Sequence, residues 1–427
     1  MTIAELHSIF LQSKGVNTDT RSIAPGQLFF ALKGANFNGN TYAIKALEQG
    51  ALYAIVDEES EMHTNIIRVT DVLETLQALA KYHREQFQIP VIALTGSNGK
   101  TTTKELIHAV LSSNYKVIAT IGNLNNHIGV PLTLLRIQAD TEIAIIEMGA
   151  NHQKEIASYC TYTLPTHGLI TNIGKAHLEG FGGEEGVLKG KTELFDYLNE
   201  SQKEIFIYTG DEKLMSIATQ LHQVKFYGKK ASNSNLFVEA TIDETADLVK
   251  VNYDGISIQT HLVGAYNFPN ILASICLGKY FNIDKTAIKQ ALENYIPDNN
   301  RSQIKKIGAN DFILDAYNAN PSSMSLAIDN FNNYQATNKM MILGEMKELG
   351  DYTALEHEKI IQQCSHTAIP KIIFVGNAFK NFKEKYSSYI YFENALEVKE
   401  WFVQKAFNNY TILLKGSRSM GLEKVIS

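Results

Sequence analysis

The sequence predicts an α/β protein of three units, the middle one a mostly parallel sheet that carries a phosphate loop, flanked by a small N-terminal α/β unit and a Rossmann-like C-terminal one. Three observations carry that expectation. Residues 90–104 read PVIALTGSNGKTTTK, a buried strand, a glycine turn and a helix start. Residues 86–297 then alternate apolar strands with helices, which implies a sheet covered on both faces. Residues 298–427 repeat the alternation, and 427 residues exceed what one ordinary core holds. The expected domains are 1–85, 86–297 and 298–427.

Residues 1–85 supply the first unit. Ala4 to Leu11 is a short amphipathic helix, Gln27 to Leu32 a strand, Tyr42 to Glu48 a helix closed by Gly50, and Ala51 to Val56 a strand. Asp71 to Gln86 is a longer helix, with Asp71 as N-cap and Glu74 as its box partner. Two polar loops, Thr18 to Arg21 and Lys33 to Gly39, hold Arg21, Lys33 and Phe37. The two cations could bind a diphosphate, and Phe37 could pack on a sugar or base. Composition alone favours the plainer reading of two solvated loops.

In the second unit, strands are expected at 90–95, 115–120, 142–147, 167–173 and 204–209, with helices at 100–113, 152–160 and 184–198. Ligands of such sheets bind at the carboxyl ends of the strands. The turn 95–99, Glu147 and the segment Asn172 to His177 all fall at such ends. In the third unit, strands are expected at 311–316, 339–343, 371–376 and 411–415. They run into Asp315-Ala-Tyr-Asn-Ala-Asn-Pro321, Gly344 to Gly350, and Lys415-Gly-Ser-Arg418, three polar loops on one edge. Asp298-Asn299-Asn300 reads as a hinge.

Gly96 and Gly99 let the backbone approach a ligand, and the helix beginning at Lys100 aims its unpaired N–H groups and positive dipole end at the turn. That is a phosphate cradle. Ser97, Asn98 and Thr102 line it, Lys100 adds a mobile charge for the terminal phosphates, and Thr101 adds a hydroxyl suited to Mg²⁺. The general pattern places Gly six residues before the Lys, where this chain has Leu94, so the loop is shorter than the common one.

Other candidates are weaker by pattern. Glu147 ends the otherwise apolar EIAIIE, and reads equally as a metal ligand or a surface acid. His177 lies in the polar loop KAHLEGFGG. Asn123, Asn125 and Asn126 make an amide-rich loop that could donate to phosphate, although asparagine clusters are more often turns. Lys191, in GVLKGKTELF, reads by pattern as part of a solvated helix face. Asn267, Asn270, Arg301 and Asp315 are candidates for gripping the rest of a nucleotide, with Arg301 able to neutralise a transferring phosphoryl group or simply to be a surface residue at the hinge.

Composition excludes several classes. Hydrophobic content of 44% with 20% charged residues is globular. A net charge of −6 argues against a general nucleic-acid binder. Three distant cysteines, Cys160, Cys276 and Cys364, fit a reducing cytoplasm rather than disulfides or a thiolate metal site. The opening MTIAELHSIF lacks signal-peptide character, and no apolar stretch is long enough to insert in a membrane.

Taken together the motifs resemble the ATP-dependent Mur ligases of peptidoglycan synthesis over nearly the whole chain. The residues that carry the resemblance are Thr18 to Arg21, Lys33-Gly34 with Phe37 and Gly39, Thr95 to Thr102, Gly122 to Asn126, Glu147 to Asn151, Ala176 to Gly182, Lys191 to Glu193, Tyr317 to Pro321, Leu343 to Gly350 and Lys415 to Arg418. The short phosphate loop is the one this family uses. YNANP and LGEMKELG are most specific for the branch that adds D-Ala-D-Ala to a UDP-N-acetylmuramoyl-tripeptide.

The resemblance implies that ATP activates the tripeptide carboxylate as an acyl phosphate, which the dipeptide amine then attacks. It implies that Lys100, Lys191, His177 and Asn126 are catalytic, that Thr101 binds the Mg²⁺ shared with ATP, and that Glu147 and His177 bind a second. Lys191 would carry a CO₂-derived carbamate and become a metal partner. Thr20, Arg21, Lys33, Gly34, Phe37 and Asn151 would meet the UDP-sugar substrate. Asn318, Asn320, Lys347 and Lys415 would meet the dipeptide. A cytoplasmic monomer is expected. Thr20 stands where relatives usually carry Ser, Tyr266 where His is common, and Asn300-Arg301 replaces a Gly-Arg pair. The rivals are the sibling ligase adding the third residue, a folylpolyglutamate-type synthetase, a nucleotide-dependent regulator or motor, and an inactive scaffold. YNANP and LGEMKELG weigh against the first two, the end-to-end three-domain pattern against the regulator or motor, and the intact Lys100, Thr101, Glu147, His177 and Lys191 against the scaffold.

Overall fold

The computed structural model describes residues 1–59, 63–230, 236–243, 247–298 and 301–426. Of the expected hinge, Asn299 and Asn300 lie outside them. A parallel four-stranded sheet comes first, in the order Val16–Asn17, Leu28–Phe30, Tyr53–Val56, Ile66–Arg68. The helix Ile3–Gln12 begins with a complete capping box between Thr2 and Glu5. In the helix Val72–Glu85, Asp71 accepts from the Glu74 backbone N–H as expected.

The central sheet has nine strands. From one edge the order is Ile256–Val263, Leu248–Tyr253, Val238–Asp243, Val224–Lys229, Glu204–Tyr208, His167–Ile170, Val91–Thr95, Ile143–Glu147, Val117–Ala119. The strands Val91–Thr95 and Ile143–Glu147 are buried at every position, which is why they read as unbroken apolar runs. The expected rhythm of strand and helix breaks at 224–263, where four strands follow one another and the last two pairings are antiparallel. Asp254 and Gly255 make the hairpin there, at φ 44° and 78°, the signature of a two-residue turn matched to strand twist.

The C-terminal sheet runs Gln303–Ile307, Asn310–Asp315, Thr411–Lys415, Lys339–Gly344, Lys371–Val375, Ile390–Phe392. Its first pair is an antiparallel hairpin over Gly308, absent from the sequence expectation, and the rest is parallel.

Register sets the site. Leu94 lies opposite Glu147, and Thr95 opposite Ile170, so the phosphate loop, Glu147 and the 171–177 segment leave the sheet at one edge. Asp315 lies opposite Lys415, and Lys415 opposite Leu343, so the three C-terminal loops also share an edge.

Buried histidines mark where protons are excluded, and three of them lie in the first two units. His83 Nε2 lies 2.9 Å from the Ile137 carbonyl and must donate to it, so its Nδ1 accepts from His7 Nε2 at 3.0 Å. This chain ties the N-terminal unit to the central one. His167, 9% exposed, is pushed down to about 4 by burial. Its depressed value means the unfolded chain binds the proton more readily, so stability held above about pH 6.5 is lost as pH falls toward 4. Between pH 7 and pH 5 the loss from this residue is about 2 kcal/mol. Urea midpoints at the two pH values are expected to differ less in His167→Gln than in the parent; an equal difference would contradict this.

Candidate active site

Two glycines make the loop possible. Gly96 has φ 143°, and a Cβ there would come 2.0 Å from Thr171 Oγ1. Gly99 has φ 77°, precedes the helix Lys100–Leu111, and would place a Cβ 2.7 Å from Asn270 Oδ1. The loop is braced by its neighbour in the sheet. Ser97 N donates to the Asn172 carbonyl at 3.0 Å and Ser97 Oγ to that of Gly174 at 3.0 Å, while Thr171 Oγ1 donates to the Asn98 carbonyl at 2.6 Å. Thr171 and Asn172 thus fix the cradle's shape, a role with no sequence signature.

Lys100 Nζ donates to the Gly96 carbonyl at 2.7 Å, folded back over the loop. Burial pushes its ammonium below the usual lysine range, against the attraction of Glu147. Thr101 Oγ1 donates to Glu147 Oε1 at 3.1 Å, and Asn125 Nδ2 donates to the same oxygen at 2.7 Å. Glu147 is 1% exposed, and its Oε2 makes no hydrogen bond. Buried Lys104 lies behind it, with Nζ 4.0 Å from Oε2 and 2.6 Å from the Thr120 carbonyl. A buried carboxylate oxygen without a hydrogen bond, beside a threonine hydroxyl and a phosphate cradle, has the donor chemistry of a hard divalent cation. Among the described residues no three His, Cys, Asp or Glu side chains converge as a ready-made cage. The amide beside Glu147 is Asn125, not Asn126. Asn126 Oδ1 accepts from the backbone of Ile128 and Gly129 and shapes the turn into the helix Gly129–Leu134.

Lys191 corrects the reading of its helix face. It is 0% exposed in the helix Glu184–Glu200, with Nζ donating to the Ala150 carbonyl at 3.0 Å and lying 4.9 Å from the centre of the Phe181 ring. Burial, reinforced by Lys100, drives its amine well below the usual lysine range. His177 sits at φ 53° with Nδ1 2.5 Å from Glu348 Oε2, a close contact outside hydrogen-bond angles. Asn151 follows Ala150, the residue that accepts from Lys191, and its N–H donates to Glu155 Oε2 at 2.7 Å.

The C-terminal loops dock against this edge. Asn320 Nδ2 donates to Asn98 Oδ1 at 2.7 Å, and Asn320 Oδ1 caps the helix Pro321–Asn333. Lys175 N donates to Ser322 Oγ at 2.9 Å, and its Nζ donates to Glu356 at 3.2 Å. Arg301 stacks on Tyr317, 3.5 Å from the ring centre, and lies within electrostatic reach of Lys100. Asn267 and Asn270 form a buried chain: Asn270 Nδ2 donates to Asn267 Oδ1, Asn267 Nδ2 to Ser302 Oγ, and Thr103 Oγ1 to Asn270 Oδ1. They hold the loop's helix to the C-terminal unit. Thr102 is buried on that same helix. Lys347 pairs with Glu345, and Asn318 Oδ1 accepts from Ala319 N.

Lys415 and Asp315, expected on different ligands, pair with each other at 2.5 Å, the lysine being 2% exposed and the aspartate 16%. Removing one partner leaves the other charge stranded, so Lys415→Met is expected to destabilise the protein by about 3 kcal/mol. Urea unfolding checks this, and a change below about 0.5 kcal/mol would contradict it.

The N-terminal candidates stand apart. Half-buried Thr20 precedes Arg21, which closes on Asp19 at 2.6 Å and holds that carboxyl down to about 2. Lys33 pairs with Asp57 at 3.1 Å and Glu58 at 3.4 Å. Gly34 leaves room for Phe37, whose ring atom would lie 2.4 Å from a Cβ there, and Phe37 is 58% exposed. No described hydrogen bond or ion pair joins these loops to the phosphate loop.

A phosphate loop on a parallel sheet, a buried cation-seeking carboxylate and a second α/β unit docked over both define a nucleotide-dependent group-transfer enzyme. Family models match end to end: the Mur ligase family catalytic domain over residues 12–84, the Mur ligase middle domain over 94–278, and the Mur ligase glutamate ligase domain over 300–418. The chain belongs to the Mur ligase family. The UDP-N-acetylmuramoyl-tripeptide–D-alanyl-D-alanine ligase of Bacillus subtilis is 35% identical, over 96% of this chain and 92% of the relative. The Escherichia coli enzyme of the same name is 32% identical, over 99% and 95%. The crystal structure of MurF from Acinetobacter baumannii superposes with a TM-score of 0.88 at 29% identity, over 99% and 97%.

Proposed function

We propose that this chain joins D-Ala-D-Ala to UDP-N-acetylmuramoyl-tripeptide at the expense of ATP, making the peptide precursor of the cell wall. The observation that carries the reading is the junction itself. The phosphate loop, which leads into Thr101 and its bond to Glu147, is directly hydrogen-bonded to the YNANP loop of the C-terminal unit through Asn98 and Asn320. One edge can then hold ATP while the other presents an acceptor.

In this reading the Gly96–Thr102 backbone cradles the phosphates, and Lys100 swings from the Gly96 carbonyl onto the terminal ones. Arg301, stacked on Tyr317, adds charge beside the transferring phosphoryl group. Asp315 and the buried Asn267–Asn270 chain shape the nucleotide's surroundings. Thr101 and Glu147 Oε2 would hold Mg²⁺, which neutralises phosphate charge when bound. Glu147, His177 and a carbamate on Lys191 would hold a second Mg²⁺. Carbamate formation needs a neutral amine, and the depressed Lys191 supplies one. The tripeptide carboxylate attacks the γ-phosphate, the acyl phosphate forms, and the dipeptide amine displaces phosphate. The first unit's Thr20, Arg21, Lys33, Gly34 and Phe37 meet the UDP-sugar. Asn151 lies toward the same substrate, and Asn318, Asn320, Lys347 and Lys415 surround the dipeptide. The reading places a monomer in the cytoplasm, acting on small substrates; among the described residues no helix is long and apolar enough to cross a membrane.

Phosphate release from MgATP, with UDP-tripeptide and amine candidates varied one at a time, tests the reading. Release that needs both the UDP-tripeptide and D-Ala-D-Ala is expected. Release with a UDP-dipeptide and a diamino acid, or with no acceptor, would overturn it.

A further inference from the structure

The phosphate loop is surrounded by cations suited to anionic substrates. Lys100 lies within electrostatic reach of both Lys191 and Arg301. Two carboxylates act on Lys100 in return, Glu147 and Glu348. Glu147 is buried and bonded to Thr101, where a cation would complete it. Glu348 differs in every respect. It belongs to the C-terminal unit, in the loop after the strand Lys339–Gly344, and its side chain is 52% exposed.

Its placement is costly and specific. Glu348 has φ 62°, and His177, which it meets across the junction at 2.5 Å, has φ 53°. Both residues occupy the left-handed region that side-chain-bearing residues avoid. The Glu348 carbonyl also accepts from Glu179 N at 3.5 Å. Its neighbour Lys347 points its charge into the pair with Glu345, so the charge this loop brings to His177 is the Glu348 carboxylate, whose side chain is half exposed.

A negative side chain facing ATP or an acyl phosphate repels it. Glu348 therefore serves a cation, and it comes from the unit opposite the nucleotide. A primary-amine acceptor enters as an ammonium at neutral pH. We propose that Glu348, held by His177, is the carboxylate that recognises the ammonium group of the dipeptide acceptor and selects acceptors that carry one. This rests on the ligase reading above. It adds the residue that distinguishes an amine from a neutral or anionic group at the acceptor position.

The test is Glu348→Gln, which keeps the shape and removes the charge, with Glu348→Asp alongside. Hydroxylamine trapping of the acyl phosphate, with UDP-tripeptide and MgATP but no dipeptide, reads the first half-reaction. It is expected to stay within about 2-fold of the parent in Glu348→Gln, at an unchanged Mg²⁺ midpoint. The KM for D-Ala-D-Ala is expected to rise about 10- to 100-fold, the loss of one charge-assisted contact. Inhibition by D-lactyl-D-alanine, with hydroxyl in place of amine, is expected to be unweakened, and Glu348→Asp to recover part of the KM. A hydroxamate rate that falls with the overall rate, or a shifted Mg²⁺ midpoint, would assign the carboxylate to the metal and overturn the proposal. So would an unchanged acceptor KM. If the parent protein forms no hydroxamate, the ligase reading fails instead.

Discussion

Lys100→Met is expected to lower kcat/KM by roughly 10³-fold while leaving the fold intact. The side chain lies over the loop with Nζ on the Gly96 carbonyl, between the attraction of Glu147 and Glu348 and the repulsion of Arg301. A charge preorganised in a water-poor cleft acts on the transferring phosphoryl group far more strongly than it would in water. Methionine keeps the buried methylenes, so the loss is electrostatic. Steady-state phosphate release reads the effect, and an unfolding free energy from urea titration within about 1 kcal/mol of the parent separates it from misfolding. A loss below about 10-fold would mean that Lys100 is not at the phosphoryl group.

Lys191→Ala is expected to lose activity on the same scale, roughly 10³-fold, and to recover part of it when short carboxylic acids are added. The parent residue is 0% exposed and its amine is held well below the usual lysine range by burial. A neutral amine adds to CO₂, releases a proton and becomes a carbamate anion, which would give the buried side chain the carboxylate-like oxygens that a hard cation takes. Truncation removes the side chain that lies beside the Ala150 carbonyl and Phe181, and a formate or acetate ion there would stand in for the proposed carbamate. Titration of these acids against phosphate release is the measurement. Full activity without an added acid would contradict the carbamate, and no rescue by any small acid would count against it.

These two lysines also show how far a sequence carries. Lys100 is legible because its neighbours Gly96 and Gly99 encode a backbone path that few other residues can follow. Glu147 is legible as an acid closing an apolar strand. Lys191 is not, because a charged residue in an amphipathic helix reads as solvated, and only the packing of Phe181 and the 150s loop shows it buried. Glu348 is one of several charges in LGEMKELG until the junction brings it to His177. Asn98 and Asn320 are 222 residues apart, and no local pattern pairs them. Asn125 and Asn126 are adjacent amides, and only the turn geometry decides which one reaches Glu147. The strands at 224–263 do carry a local signal, in period-two burial and in Asp254-Gly255, but the strand–helix rhythm before them masks it.

In the proposed reaction the edge formed by Lys100, Thr101 and Glu147 activates a carboxylate as an acyl phosphate. The direct measurement uses UDP-tripeptide labelled with ¹⁸O in its reacting carboxylate, with MgATP and D-Ala-D-Ala. One ¹⁸O atom per turnover is expected in the inorganic phosphate, and none without the dipeptide. Unlabelled phosphate formed alongside the peptide product would contradict it.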